Sequence, residues 1–139
     1  MKEITVLVPN KIGVLAEVTD ELGKNGVNIV SISAMGIGDV GVIRLITSDE
    51  RSAMNILTKY IATKKERYEV KLADVIIVSI PDKAGELAKI CKRLSKLGIS
   101  IETVYLLKRE AGIAELIIRP EKVDEALREL KAAGVKVRL

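Results

Sequence analysis

The strongest constraint on the fold of this chain is an internal repeat. Residues 8–29, VPNKIGVLAEVTDELGKNGVNI, align without a gap with residues 80–101, IPDKAGELAKICKRLSKLGISI, and every matched pair is 72 positions apart. A self-similarity of this length indicates that one structural unit has been duplicated. We therefore expect two small domains, residues 1–71 and 72–139.

Each copy has the residue pattern of a βαββαβ unit. In the first copy, apolar residues alternate from Ile4 to Val8 as in a strand, and Gly13 opens a helix with an apolar stripe. Two alternating segments, a second helix and a last strand follow, and the second copy repeats this order. The pattern predicts an α+β protein of two ferredoxin-like repeats. Because such a small unit is marginally stable and has open strand edges, we expect the repeats to pack side by side into one eight-stranded antiparallel sheet with the helices on one face.

One short string, GIGDVG at residues 36–41, has the literal spacing of a dinucleotide-binding loop. A helix must follow such a loop, whereas residues 42–47 alternate like a strand. The second copy has KREAG in the same place, where only Gly112 is retained, aligned with Gly41 if one residue is dropped. A hairpin tolerates this replacement and a dinucleotide site does not, so we predict a hairpin connection.

The composition argues against catalysis. The chain has no histidine, the commonest general base, and its single cysteine, Cys91, lies on the apolar face of a predicted helix. No cluster of cysteine, histidine and carboxylate residues has the spacing of a metal site. We expect no enzyme, no catalytic residue, no metal and no cofactor.

Composition also bears on the environment of the protein. One cysteine cannot form an internal disulfide, which favours a reducing cytoplasm. No apolar run is long enough to span a bilayer, so we expect no membrane partner. Abundant Lys, Glu, Ile and Val without any glutamine is typical of hyperthermophile proteins, and predicts a melting temperature above about 65 °C.

The net charge of +4 raises the question of nucleic-acid binding. The densest basic group, Lys89, Lys92, Arg93 and Lys96, has the spacing of one helix face. Acidic residues are interleaved along the rest of the chain, and three tyrosines are its only aromatic residues. Since readers of single-stranded RNA need stacking platforms, a solvated helix face is favoured over a phosphate-binding stripe.

The turns VPNKIG and IPDKAG carry the most chemical information. Each places the backbone N–H groups of a helix start, with a short polar side chain, at the end of a strand. Such a helix start attracts a carboxylate or a phosphate, and the glycine lets a ligand approach closely. In the alternative interpretation, Asn10 and Asp82 only cap the two helices.

Two copies of a strand, the motif P-[ND]-K-x-G-x-L-A, a helix, and then GVNI or GISI resemble the ACT domain, a small regulatory module of amino-acid metabolism. The resemblance covers essentially the whole chain as a tandem pair. It implies a sensor that binds a free amino acid at the seam between two ACT domains. It also implies action in trans on a partner enzyme or regulator.

The resemblance also implies the ligand-binding residues. The loop of one domain and the first residue of the second strand of its neighbour hold the ligand. The corresponding positions are Asn10, Lys11, Ile12, Gly13 and Asn28 in the first copy, and Asp82, Lys83, Ala84, Gly85 and Ser100 in the second. One seam would combine the Asn10 loop with Ser100, and the other the Asp82 loop with Asn28. The second is favoured, because Asp82 offers a carboxylate to the ligand's ammonium group.

Three hypotheses follow from these observations. The first is an amino-acid sensor that forms a homodimer through a free sheet face or edge. Its ligand is expected to be a small or aliphatic amino acid, because Ile12, Val27, Ala84 and Ile99 surround the loops and second strands. The second is a module that has lost its ligand and only assembles. The third, nucleic-acid binding through the Lys89–Lys96 face, is the least favoured.

Overall fold

A computed structural model describes the whole chain, Met1–Leu139, as two compact units. The N-terminal unit comprises Lys2–Ala73, and the C-terminal unit comprises Asp74–Leu139 together with Met1. None of the four helices is both long enough and apolar enough to cross a membrane.

The N-terminal unit is a βαββαβ fold. Its elements are β1 (Lys2–Pro9), α1 (Val14–Lys24), β2 (Ile29–Ile37), β3 (Val40–Thr47), α2 (Glu50–Ala62) and β4 (Glu69–Asp74). The strands form a four-stranded sheet in the order β2-β3-β1-β4. Its core lies between the sheet and the helices, where Ile4 and Val6 of β1 pack with Leu22 of α1 and Leu57 of α2.

The C-terminal unit repeats this arrangement. Its elements are β5 (Ile76–Pro81), α3 (Glu86–Lys96), β6 (Ile101–Glu110), β7 (Ile113–Pro120), α4 (Val123–Ala132) and β8 (Lys136–Arg138). The strand order, β6-β7-β5-β8, is equivalent to that of the first sheet. A core of buried Ile76, Val78, Leu94 and Leu130 joins the sheet to both helices.

The predicted α+β class and the two ferredoxin-like repeats are confirmed. The expected single eight-stranded sheet is not formed, because the strands pair as two separate four-stranded antiparallel sheets. β5 follows β4 after one residue and is already paired on both sides, with β7 and β8. Each repeat therefore forms its own sheet, with β2 and β4 at the edges of the first and β6 and β8 at the edges of the second.

GIGDVG is a hairpin, as predicted. Residues 38 and 39 form the turn between β2 and β3, and residues 111 and 112 form the turn between β6 and β7. Gly38 and Gly112 have φ values of 56° and 76°, which glycine adopts without steric cost. The alignment of Gly112 with Gly41 is wrong, because Gly112 lies in its turn whereas Gly41 pairs with Gly36 inside the ladder.

Candidate functional site

The β1–α1 loop of the N-terminal unit leaves backbone donors free. The N–H of Asn10 donates to the carbonyl of Asp39 (2.9 Å), and the N–H of Lys11 donates to the carbonyl of Pro9 (3.0 Å). Ile12 and Gly13 donate to no backbone carbonyl, and the side chain of Ile12 is fully exposed. These two N–H groups, at the positive end of the α1 dipole, are available to an anionic ligand group.

Asn10 does not cap α1. The N-cap residue is Gly13, in the left-handed conformation with φ 90°, and no side chain caps this helix end. The Asn10 amide instead donates from Nδ2 to the carbonyl of Gly38 (3.0 Å), across the β2–β3 hairpin. The capping interpretation is therefore wrong for Asn10, whose side chain ties the loop to the hairpin and leaves Oδ1 as an acceptor.

A small cavity lies beside this loop. Its volume is about 200 Å³, and Asn10 and Lys11 line one part of it while Val14, Leu15 and Met35 contribute apolar surface. Cavities for drug-sized ligands are about 300–1,000 Å³. The space beside the loop therefore suits a ligand of a few heavy atoms.

The ammonium group of Lys11 is already paired. Its Nζ lies 2.5 Å from Oε2 of Glu66, and both side chains are largely exposed. The hydrogen bond that the ammonium group donates to Glu66 raises the pKa of Lys11 above its ordinary value. Lys11 thus contributes its backbone and alkyl chain to the loop rather than an uncompensated charge.

A larger groove of about 720 Å³ lies between α1 and α2. Polar side chains that line the groove form hydrogen bonds with one another: Glu17 accepts from the Tyr60 hydroxyl (2.7 Å) and from Lys64 (3.2 Å). Lys64 also lies 4.7 Å from the centroid of the Tyr60 ring. We assign this groove a structural role, because its polar groups join the two helices.

Asn28 lies far from the loop of its own unit. It precedes β2, and its N–H donates to Oγ of Ser48 (3.0 Å) at the end of β3. Asn10 lies at the hairpin, which is the opposite end of β2. Ser100 has the equivalent place before β6, where its carbonyl accepts from the N–H of Glu121 (2.8 Å). Neither unit brings its second-strand residue to its own loop.

The loop of the C-terminal unit has the same backbone but different side-chain contacts. The N–H of Asp82 donates to the carbonyl of Gly112 (2.8 Å), and Gly85 caps α3 with φ 87°. Asp82 does not cap α3 either; its Oδ2 lies 3.0 Å from Nε of Arg109 on β6. Lys83 and Ala84 are exposed. The carboxylate expected to receive a ligand's ammonium group is thus already paired.

Two residues that shape these loops were not predicted from the sequence. Gly36 lies beneath the Asn10 side chain, and Arg109 reaches Asp82. Both belong to the hairpins, whose residues had been assigned only a turn role. The contrast between GIGDVG and KREAG could have indicated them, because the first hairpin has glycines where the second has charged side chains.

Comparisons with known proteins agree with this fold. The family model described as ACT domain matches residues 2–59. Protein BT0572 from Bacteroides thetaiotaomicron has 31% sequence identity and a TM-score of 0.85, over 99% of this chain and 90% of that chain. No curated protein sequence matches this chain.

Two further solved structures are similar in fold. The ligand-free regulatory subunit of aspartate kinase from Thermus thermophilus has a TM-score of 0.67 and 19% identity, over 95% of this chain and 91% of that one. Aspartate kinase from Synechocystis has a TM-score of 0.64 and 20% identity, over 95% of this chain and 24% of that one.

Proposed function

The chain belongs to the ACT-domain family, and we propose that it is a cytoplasmic amino-acid sensor that regulates a partner protein in trans. The observation that carries the proposal is the N-terminal β1–α1 loop. There, the free N–H groups of Ile12 and Gly13 lie at a helix start, between Lys11 and Val14, which line a cavity of about 200 Å³. This arrangement matches the size and the charge of a free amino acid.

The loop offers a partner to each end of a zwitterion. A carboxylate accepts hydrogen bonds from the N–H groups of Ile12 and Gly13, where the α1 dipole stabilises negative charge. An ammonium group donates to Oδ1 of Asn10, because the amide nitrogen already donates to Gly38. Val14 and Leu15 line the same cavity, which favours a small or aliphatic side chain.

We also propose a homodimer formed through β2. Both β2 and β6 lie at sheet edges, but β2 contains no charged residue, whereas β6 contains Glu102, Lys108, Arg109 and Glu110. Charged side chains discourage edge pairing. The exposed Val30 and Ile32 on β2 supply apolar surface for a second copy.

This dimer also accounts for Asn28. Antiparallel pairing of β2 with β2 of a second copy places the beginning of one strand beside the end of the other. Asn28 of one copy then lies near the Asn10 loop of the other, although the two residues are at opposite ends of one unit. The pairing of the Asn10 loop with Ser100, and of the Asp82 loop with Asn28, stays a prediction.

Regulation without catalysis is proposed from the chain's chemistry and its similarities. With no histidine, the chain lacks the commonest general base. The ACT family-model match over residues 2–59 supports a regulatory role. Action on a separate protein is part of this proposal.

A thermal-shift screen against each of the twenty amino acids tests the proposal. A ligand present at about 100 times its dissociation constant adds about 2.7 kcal/mol, which raises the melting temperature by about 11–22 °C for units of this size. We expect such a shift with a small or aliphatic amino acid, and a smaller shift for Asn10→Ala. No shift with any amino acid contradicts the sensor.

The exposed apolar residues of β2 support a second candidate, a ligand-free assembly module. In that case light scattering still detects a dimer, but no amino acid changes the melting temperature. The sensor and the assembly module therefore predict the same dimer, but only the sensor predicts a change in melting temperature with an amino acid.

A further inference from the structure

The β1–α1 loop and the equivalent β5–α3 loop make the same backbone hydrogen bonds but differ in the hairpin residue that lies beneath them. In each loop, the residue after the strand donates its N–H to the second turn residue of the hairpin, from Asn10 to Asp39 and from Asp82 to Gly112. The loops are thus held at equivalent places. Any difference in ligand binding must come from their side chains.

Strand register identifies the two residues that differ. In the N-terminal sheet, Val8 pairs with Gly41, which pairs with Gly36. In the C-terminal sheet, Ile80 pairs with Ala114, which pairs with Arg109. Since Val8 and Ile80 are matched in the repeat, Arg109 occupies the place of Gly36.

This replacement changes what lies next to the loop. At Gly36 there is no side chain, and the Asn10 amide fills the space, with Nδ2 2.6 Å from where a Cβ would lie. At the equivalent place, Arg109 extends to the loop and its Nε lies 3.0 Å from Oδ2 of Asp82. An Asn–Gly pair in one repeat has thus been exchanged for an Asp–Arg ion pair in the other.

We propose that the Arg109–Asp82 ion pair closes the C-terminal loop to the amino acid that the N-terminal loop binds. This inference rests on the proposed function and specifies one amino acid bound per chain. The ligand's ammonium group must displace the guanidinium of Arg109, whose Nε lies 3.0 Å from Oδ2 of Asp82. Asn10, whose Oδ1 faces no such competitor, is therefore the acceptor of the working site.

Native mass spectrometry tests the inference by counting ligands on the intact chain. The probe is an equimolar mixture of the twenty amino acids, from which the mass of each bound molecule also identifies the ligand, apart from the isomers leucine and isoleucine. We expect one amino acid per parent chain. The double variant Asp82→Asn with Arg109→Gly, which copies the N-terminal pair into the C-terminal repeat, is expected to bind two.

The reciprocal exchange, which copies the Asp–Arg pair into the N-terminal repeat, is expected to close the N-terminal loop. The double variant Asn10→Asp with Gly36→Arg should bind none, and circular dichroism verifies that each variant is folded. Arg93→Ala removes a different ion pair of the C-terminal unit, with Glu129 at 3.5 Å, and should leave the count at one.

The outcomes separate this inference from the proposed function. Two amino acids per parent chain, or an unchanged count of one in the folded Asp82→Asn, Arg109→Gly variant, contradicts the closure and leaves the sensor intact. If neither the parent nor any variant binds an amino acid, that result contradicts both the sensor and the closure of the C-terminal loop.

Discussion

The side chain of Asn10 occupies the space that a side chain at position 36 would need. A Cβ on Gly36 would lie 2.6 Å from Nδ2 and 2.8 Å from Oδ1 of Asn10. The same amide donates to the carbonyl of Gly38, so the position of Asn10 depends on the bare backbone of β2. The glycine of the hairpin thereby sets the geometry of the neighbouring loop.

Gly36→Ala is therefore expected to weaken amino-acid binding about tenfold, a loss of about 1.4 kcal/mol, by displacing the Asn10 amide. Because that amide ends an exposed, movable side chain, we expect the free energy of unfolding to change by less than about 1 kcal/mol. Calorimetry and urea unfolding measure the two effects. Unchanged affinity would show that Asn10 does not bind the ligand.

Gly23→Ala is the matched control. Gly23 lies inside α1, and a Cβ there would have no atom within 4 Å. Alanine should raise the free energy of unfolding by about 0.5–1 kcal/mol, because glycine is a poor helix former. Its affinity for the amino acid should equal that of the parent.

The uncharged edge strand β2 predicts a dimer, and a single charged residue introduced on that strand should disrupt it. Light scattering of the parent should give twice 15.2 kDa. Ile32→Lys should give 15.2 kDa, because a lysine must lose its hydration in the paired edge. Val104→Lys, at the repeat-equivalent position on β6, should remain a dimer. A parent mass of 15.2 kDa would contradict the proposed assembly.

The start of α2 predicts a pH-dependent contribution to stability. Asp49 accepts a hydrogen bond from the N–H of Ser52 (3.0 Å), which lowers the pKa of its carboxyl. A lowered pKa means that this stabilisation is present above the unfolded value of about 3.9 and is lost as the pH falls. Asp49→Ala should lower the free energy of unfolding at neutral pH and lower it less in acid, as measured by urea unfolding.

The equivalent position of the C-terminal unit provides the opposite test. Lys122 caps α4 with a similar extended backbone but makes no side-chain cap hydrogen bond. Lys122→Asp should therefore add about 1 kcal/mol to the free energy of unfolding at neutral pH. A loss of stability would show that the helix start cannot accept a capping carboxylate.

The Tyr60 hydroxyl should stay protonated in alkaline solution. Burial raises its pKa above the ordinary value, and the hydrogen bond to Glu17 raises it further. Stability from this group is present below the unfolded pKa of about 10 and is lost as the pH rises above it. The difference in absorbance between the parent and Tyr60→Phe should show no ionisation at about pH 10, whereas an ordinary tyrosine would be half ionised.

The repeat and its elements could be predicted because they depend on local patterns. Alternation from Ile4 to Val8 and the loop glycines determine strand and helix within a few residues. The side-chain contacts of Asn10 and Asp82 depend instead on register across a hairpin, where a shift of one residue reverses every side chain. Aligning Gly112 with Gly41 shifted that register and concealed the match of Gly36 with Arg109. The sequence consequently favoured Asp82 as an acceptor, although it is paired in the fold.

The most direct test of the sensor is a crystal structure of the chain grown with an equimolar mixture of the twenty amino acids. We predict electron density for one amino acid at the N-terminal loop, with its carboxylate within hydrogen-bonding distance of the N–H groups of Ile12 and Gly13 and its ammonium group at Asn10 Oδ1. A well-ordered loop without such density, or an amino acid bound only in the groove between α1 and α2, would contradict the account.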